Sequence, residues 1–508
     1  MWKRKELKKA AKSAIKNNYR AVVVVCFVVA FLAGGYSLST LVIDHYYSST
    51  DAPNVVVNNV TKTLTADSLG TILRSVGVIT DDNTQGILGG IVNFAVSSGS
   101  AISKLINSAK GFLVTHETFV SLVSLISVVL QLLYNVFIRN VIKTGEKRFF
   151  METRLYRDTS SARLSYNFRE KRYLKTVKIM MLRSFFQMLW SLTIVGGIIK
   201  IYSYRMIPYI VAENPNISAK DAFALSKAMM KGNKWKTFIM DISFVFWHFL
   251  SVITFGVVGF FWLNPYLTAT ETELYMTLRA KAVHEKIPYY KAFCDVDIVV
   301  YGVVQGSGKS IYPGAQTSAF KNSKADERVL RAEVTYSATT LILLFFFFSM
   351  LGWVWEVLLM LVKNGVFVNR GTMLGPWLPI YGVGGVIALV LLRRFFKNPI
   401  LTFFMMMSVS GIVEYFTSWL LETTKHVRWW DYSGYFLNIN GRICLEGLII
   451  FGLGGCACIY IVAPKMRLIF EKIPQRTKIS ICAVLIALFA LDAGYSTFNP
   501  NIGHGITD

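Results

Sequence analysis

Stretches of eighteen or more residues almost free of charge recur along this chain, and no other feature limits its fold as strongly. An α-helix rising 1.5 Å per residue needs that length to cross a hydrocarbon core about 30 Å thick. Runs at about 21–43, 118–141, 337–361, 378–396, 399–421, 443–463 and 479–496 read as membrane-crossing helices. Two more, at 180–212 and 237–267, are either full spans or segments that enter, break at glycine and return, because irregular backbone at depth is tolerated where protein covers it. A chain of 508 residues that is 53% hydrophobic and holds 36 Phe is too apolar for a soluble globule. The expected fold is all-α: a polytopic helical membrane protein with about eight to ten transmembrane or re-entrant helices.

The net charge of +24 would point to nucleic acid in a soluble protein. Here the basic residues stand in blocks beside the apolar runs, the pattern of the positive-inside bias and of attraction to anionic headgroups, so the expected partner is membrane lipid and not nucleic acid. Residues 1–20 hold eight Lys/Arg against one Glu, with Leu7, Ala11, Ala14 and Ile15 at helical spacing. An amphipathic helix on the inner membrane surface fits, placing the N-terminus in the cytoplasm. The apolar run after it is too long for a signal-peptide core and reads as an uncleaved anchor. Counting spans from there places the C-terminus outside the cytoplasm of a cell membrane.

Three parts follow. Residues 1–283 form an N-terminal membrane domain that includes an extracytoplasmic segment, 44–117, rich in Ser, Thr, Asn and Val. Residues 284–334 form a cytoplasmic linker of mixed charge, and 335–508 a C-terminal five-helix membrane domain. Within the first domain the two ambiguous runs resemble each other. Each has a mid-run glycine (Gly196 and Gly197; Gly256), then Pro-Tyr (Pro208-Tyr209; Pro265-Tyr266), then an acid (Glu213; Glu271), which points to a short internal repeat. As simple spans they would leave 204–236, with six Lys/Arg and two acids, on the outside, against the charge bias.

No cofactor is called for. The GSGKS at 306–310 lacks the glycine that a phosphate-binding loop needs at position 303, which is Val303, and IYPG follows where a helix should begin. Six cysteines, Cys26, Cys294, Cys444, Cys456, Cys458 and Cys482, have neither Cys-x-x-Cys spacing nor partner histidines, so no metal site is expected.

The candidate site lies in the C-terminal domain. Arg370 opens a Gly/Pro-rich turn, RGTMLGPWLPIYG, between two apolar runs. Span counting puts Arg370, Arg428, Asp431 and Arg442 at the outer boundary and Glu356, Glu414 and Glu446 in the outer parts of their helices. A carboxylate left in hydrocarbon costs about 3 kcal/mol on insertion scales, so these acids should face the bundle and pair, with Arg370 or Arg442 as obvious partners. Trp377, Trp429, Trp430 and Tyr432 form an aromatic rim that suits either this site or the membrane–water belt. Buried charges of this kind serve equally as a structural ion-pair lock or as a substrate or ion site. No nucleophile–base pair is visible, which argues against an enzyme without excluding one.

Two resemblances extend this reading. The words NPNISAKDAFALSKAMMKGNKW, DISFVFW and NPYLTATETELY (214–275) resemble an uncharacterised family of bacterial multi-pass proteins related to the membrane domain of some glycerophosphoryl diester phosphodiesterases. That likeness implies a helical membrane domain and no known activity. In the C-terminal half GWVWE (352–356), NRGTMLGPWLPIYG (369–382), VEYFTSWLLE (413–422), WWDYS (429–433) and NINGRICLEG (438–447) resemble the family described as type IV ABC-transporter membrane proteins. It implies a permease-like subunit and a separate ATPase subunit binding a cytoplasmic surface. The alternatives are a membrane-embedded enzyme acting on lipid headgroups or envelope precursors, with the arginines holding phosphate, or a non-catalytic envelope assembly factor.

Overall fold

A computed structural model of the chain describes residues 2–34, 129–154, 159, 161–169, 173–293, 335–364, 368–426, 428–435 and 437–502. The segment 44–117, the GSGKS sequence, most of the linker and the tail beyond Ile502 lie outside the described residues. The rest forms two compact units, one within 2–293 and the other within 335–502. Both are helical, with no strand among the described residues. Six helical stretches there are long and apolar enough to cross a membrane, which makes this a multi-pass membrane protein.

In the first unit, α1 (Arg4–Ala33) joins the expected surface helix and first span into one element. The two meet at Asn18, whose φ of −130° and ψ of 24° break the helix, and its amide donates to the Thr153 carbonyl at 3.1 Å. Leu7, Ala11, Ile15, Val22, Cys26 and Val29 line one buried face at steps of three, four or seven, so a single stripe runs through the kink. It packs against α2 (Asn140–Thr153) and the later helix Asn264–His284.

Both ambiguous apolar runs fold as helical hairpins. In the first, α3 (Tyr173–Ser191) turns at Leu192–Thr193 into α4 (Ile194–Ser203), which packs back along it. Arg183 Nε donates to the Tyr204 carbonyl (3.3 Å) and Gln187 Nε2 to that of Gly197 (3.1 Å). After α5 (Ile207–Glu213) comes α6 (Ala219–Met230), capped as its sequence predicts by the Ser218 hydroxyl, which accepts from Asp221 N at 3.1 Å.

The second hairpin follows α7 (Lys234–Ile242). Its arms are α8 (Val245–Ile253) and the π-helical turn Gly259–Leu263, which leads into α9 (Asn264–His284). Trp247 meets Trp262 and Phe244 meets Tyr266 across it, with ring centroids 5.9 and 5.2 Å apart. Gly256 closes the bend at φ +85°, a conformation that disfavours any side chain. The arms α4 and α8 are short, at 10 and 9 residues, whereas α3 has 19 and the stretch Lys234–Ile253, running from α7 into α8, is long and apolar enough to cross a membrane. Neither run is one straight rod: each folds back on itself, as the enter-and-return alternative requires.

The second unit holds five rods close to the predicted limits: α10 (Ala338–Asn364), α11 (Pro379–Leu391), α12 (Pro399–Lys425), α13 (Leu445–Ala457) continued through a π turn into α14 (Ala463–Glu471), and α15 (Gln475–Phe498). Gly352 lets α10 and α11 touch, since a Cβ there would sit 2.3 Å from the Tyr381 ring.

Candidate functional site

The Arg370 turn, the 428–444 loop and the end of α15 gather at one end of the second unit. Arg370 Nε donates to Glu356 Oε2 at 3.2 Å, one of the candidate pairings, and the Tyr381 hydroxyl donates to Glu356 Oε1 at 2.8 Å. Beside them Trp353 Nε1 donates to Asn369 Oδ1 at 2.6 Å.

Arg442 departs from expectation. It donates through NH2 to Glu422 Oε2 at 2.6 Å, while Arg428 NH2 takes Oε1 of the same carboxylate at 3.1 Å. Neither Glu356 nor Glu414 is its partner. Glu422 stands two turns beyond Glu414 on α12, closer to the helix end where the arginine loop returns, and this places it within their reach. The helical period of the acids along VEYFTSWLLE was the signal for it.

Asp431 mainly orders its own turn. Its Oδ1 accepts from Ser433 N (3.0 Å) and Ser433 Oγ (2.6 Å) and lies 3.4 Å from Arg428 NH1. The Ser433 hydroxyl first, and then its amide and the Arg428 charge, hold this carboxyl below its ordinary range. For Glu446 the side chain lies outside the described residues.

Glu414 differs from all of these. It is 6% exposed, and its Oε1 accepts from the Tyr432 hydroxyl at 3.1 Å. Its Oε2 is buried with no hydrogen-bond partner among the described residues. Glu356 is near enough to act on it electrostatically, which links the Arg370 turn to α12.

The aromatic rim divides. Trp377 and Trp429 are buried inside the unit, and Trp430 and Tyr432 are half-buried. Trp377 packs against Phe346 and Phe489, and its Nε1 donates to Asp492 Oδ2 at 2.7 Å. Asp492, which sequence reasoning missed, also accepts from Gly375 N (2.8 Å) and Leu374 N (3.1 Å). Asn501 completes the clasp, donating through Nδ2 to the Asn369 and Gly371 carbonyls at 2.8 and 3.0 Å. A lone acid late in an apolar run that begins a hundred residues downstream gave no hint of this target.

The first unit contains a second constellation that sequence reasoning did not assemble. Arg205, Tyr209 and Glu213 succeed one another at steps of four, and Glu271, Tyr275 and Arg279 do so on α9 in the reverse chemical order. Arg205 pairs with Glu271; Tyr209 stacks on Tyr275, 5.0 Å between centroids and 17° between planes; Arg279 NH2 pairs with Glu213 Oε1 at 2.7 Å. The Tyr275 hydroxyl adds a 2.6 Å bond to Glu213 Oε2. Arg279 and Glu213 are 0% and 1% exposed. Asp241 joins at one end, taking Arg205 NH1 and NH2 at 2.6 and 2.9 Å. Lys147 lies 3.5 Å from Glu271. Burial would push the Glu271 carboxyl up, but Arg205 and Lys147 outweigh it and hold the group below its ordinary range. These are the acids of the two repeat-like runs, each paired with an arginine beside the other run. Among the described residues no group of three His, Cys, Asp or Glu could hold a metal.

Comparison with known proteins agrees with both halves of this description. Residues 1–282 match the family described as “Protein of unknown function (DUF975)”, and residues 343–497 match the family described as “Putative ABC-transporter type IV”. No curated protein and no solved structure matches the chain. With more than half of its length inside the first match, the chain belongs to the DUF975 family, and its C-terminal helices carry a transporter-like membrane segment.

Proposed function

We propose that this protein is a permease-like membrane component whose polar cluster, at the extracytoplasmic end of the C-terminal helices, takes up a cationic group or a proton at Glu414. The observation that carries the reading is the bare Oε2 of a carboxylate sunk among α12, Tyr432 and Glu356. Such a group is stable only when protonated or joined by a cation, and ionisable residues inside membrane helices mark substrate and proton paths. Glu356–Arg370 and Glu422 with its two arginines would then hold the walls. The transporter-like family match over the same helices supports the assignment. An ATP-hydrolysing partner would dock on the basic 142–180 block or the linker. Chemistry on a phosphate headgroup is less favoured, because Arg370 and Arg442 already hold carboxylates.

The test is thermal unfolding of the full chain in neutral detergent across pH and across sodium, potassium and alkylammonium concentrations. Wild-type protein should gain stability with one cation or on acidification, by RT ln(1 + [L]/Kd) for the bound species, and Glu414→Gln should abolish the response. If Glu414→Gln lowers the melting temperature and yet keeps the full response, the cluster is a structural lock. Capture of the tagged chain from native membranes, followed by ATP hydrolysis, tests the partner; no hydrolysis above an untagged control removes it.

A further inference from the structure

The opening turns of α1 face α7 across a groove of about 890 Å³. Seven Lys/Arg side chains line it, among them Arg4, Lys8, Lys9 and Lys12 from α1 and Lys236 from α7, and no acid does so among the described residues. Glu6, the single acid within residues 2–20, is not part of the lining. Trp2, Trp235 and Tyr266 give the groove aromatic surface.

The cations are held in place from within the unit. Arg4 NH1 donates to the Ile239 carbonyl at 3.4 Å and Lys8 Nζ to that of Ser243 at 3.2 Å. Lys8 Nζ lies 4.1 Å from the Phe244 ring centroid and Lys12 Nζ 5.3 Å from that of Tyr266. The Trp2 indole donates to Asn233 Oδ1 at 3.0 Å, fastening the start of the chain to the start of α7. Burial first, then the Arg4 and Lys12 charges, hold the Lys8 ammonium below its ordinary range. Like charges fixed this closely repel, and a multivalent anion between them relieves the repulsion.

The surroundings say which anion. Directly beyond the groove α8 leaves Val245, Phe246 and Phe249 exposed, and Trp235, 70% exposed, stands at the rim as an interfacial indole does. A soluble phosphate would have no use for that apolar wall, whereas acyl chains hanging from a headgroup would cover it. We propose that the groove between α1 and α7 binds the headgroup of an anionic phospholipid carrying two phosphates, with its acyl chains along α8.

The experiment is native mass spectrometry of the full chain in neutral detergent, mixed with diphosphatidylglycerol and phosphatidylglycerol at equal total charge. Wild type should keep one diphosphatidyl lipid in preference. Lys8→Gln/Lys12→Gln should lose that retention at least tenfold, and Lys8→Arg/Lys12→Arg should restore it while the circular dichroism of all variants matches. Lys16→Gln, an exposed change on α1 that removes one charge outside the groove lining, should leave it unaltered. Equal loss in Lys16→Gln would mean diffuse surface attraction and overturn the proposal, as would equal retention by the Gln pair. Displacement of the lipid by equimolar pyrophosphate would overturn it in favour of a soluble phosphate ligand.

Discussion

Replacing Arg279 by Met leaves the Glu213 carboxylate at 1% exposure with the Tyr275 hydroxyl as its main donor. Breaking a buried pair by removing one partner costs about 3–5 kcal/mol, and the surviving Tyr275 bond places this case near 3. Glu213→Leu should cost about the same, because it leaves a guanidinium buried without its carboxylate. The double variant removes both charges and fills the space with apolar groups, so its cost should fall to about 1–2 kcal/mol. The two single costs sum to about 6, so the coupling is about 4–5 kcal/mol, above the usual range for contacting residues. Far-UV circular dichroism during denaturant titration in mixed micelles measures all four corners of the cycle. The exposed Lys281–Glu285 pair, 55% and 51% accessible, serves as a comparison worth less than about 1 kcal/mol. A cost below about 1 kcal/mol for Arg279→Met, or a double variant that equals the sum of the singles, would refute the reasoning.

Glu422→Gln should release both arginines of the 428–442 loop. At 34% exposure the stability lost is about 1 kcal/mol, and the clearer signal is faster proteolysis within that loop. Asp492→Asn removes a charged acceptor that serves two amides and the Trp377 indole, so about 1–3 kcal/mol should be lost, and a cysteine placed at Thr372 should become reactive to a soluble maleimide. Glu271 titrates below the ordinary carboxylate range when folded, so the folded state binds fewer protons than the unfolded one in acid. The stability it contributes is complete above about pH 5 and lost as pH falls through its folded value, and Glu271→Gln should flatten that part of the melting-temperature profile.

Length and periodicity made the helices readable, because a bilayer leaves a chain few choices beyond the α-helix. The five C-terminal rods and the Ser218 cap therefore fell close to their predicted places. Glu356 with Arg370 was legible as one candidate pairing among several, since Arg370 lies in the turn that follows the helix of Glu356. Glu422 and Asp492 could not, since choosing among acids on one face, or finding a partner 115 residues away, needs the tertiary arrangement that places them. The hairpins were half-legible: glycines and stray basic residues raised the possibility that each run folds back, and the packing of α4 along α3 shows that the first does. Within the first unit the sequence marks the acids at 213 and 271 as parts of a repeat, but carries no sign of their exchange of arginines.

That exchange restricts how α5 and α9 can move. A slide of one helical turn, about 5.4 Å, would set Tyr209 beside Glu271 and Glu213 beside Tyr275, leaving Arg205 and Arg279 without their carboxylates and the two rings apart. No smaller slide restores a rung, because the steps on both sides are four residues. The pair therefore behaves as a ratchet with a single tooth engaged, closed to shear, while the bends of the two hairpins, at Leu192–Thr193 and at Gly256, lie outside the three rungs and can flex without breaking them.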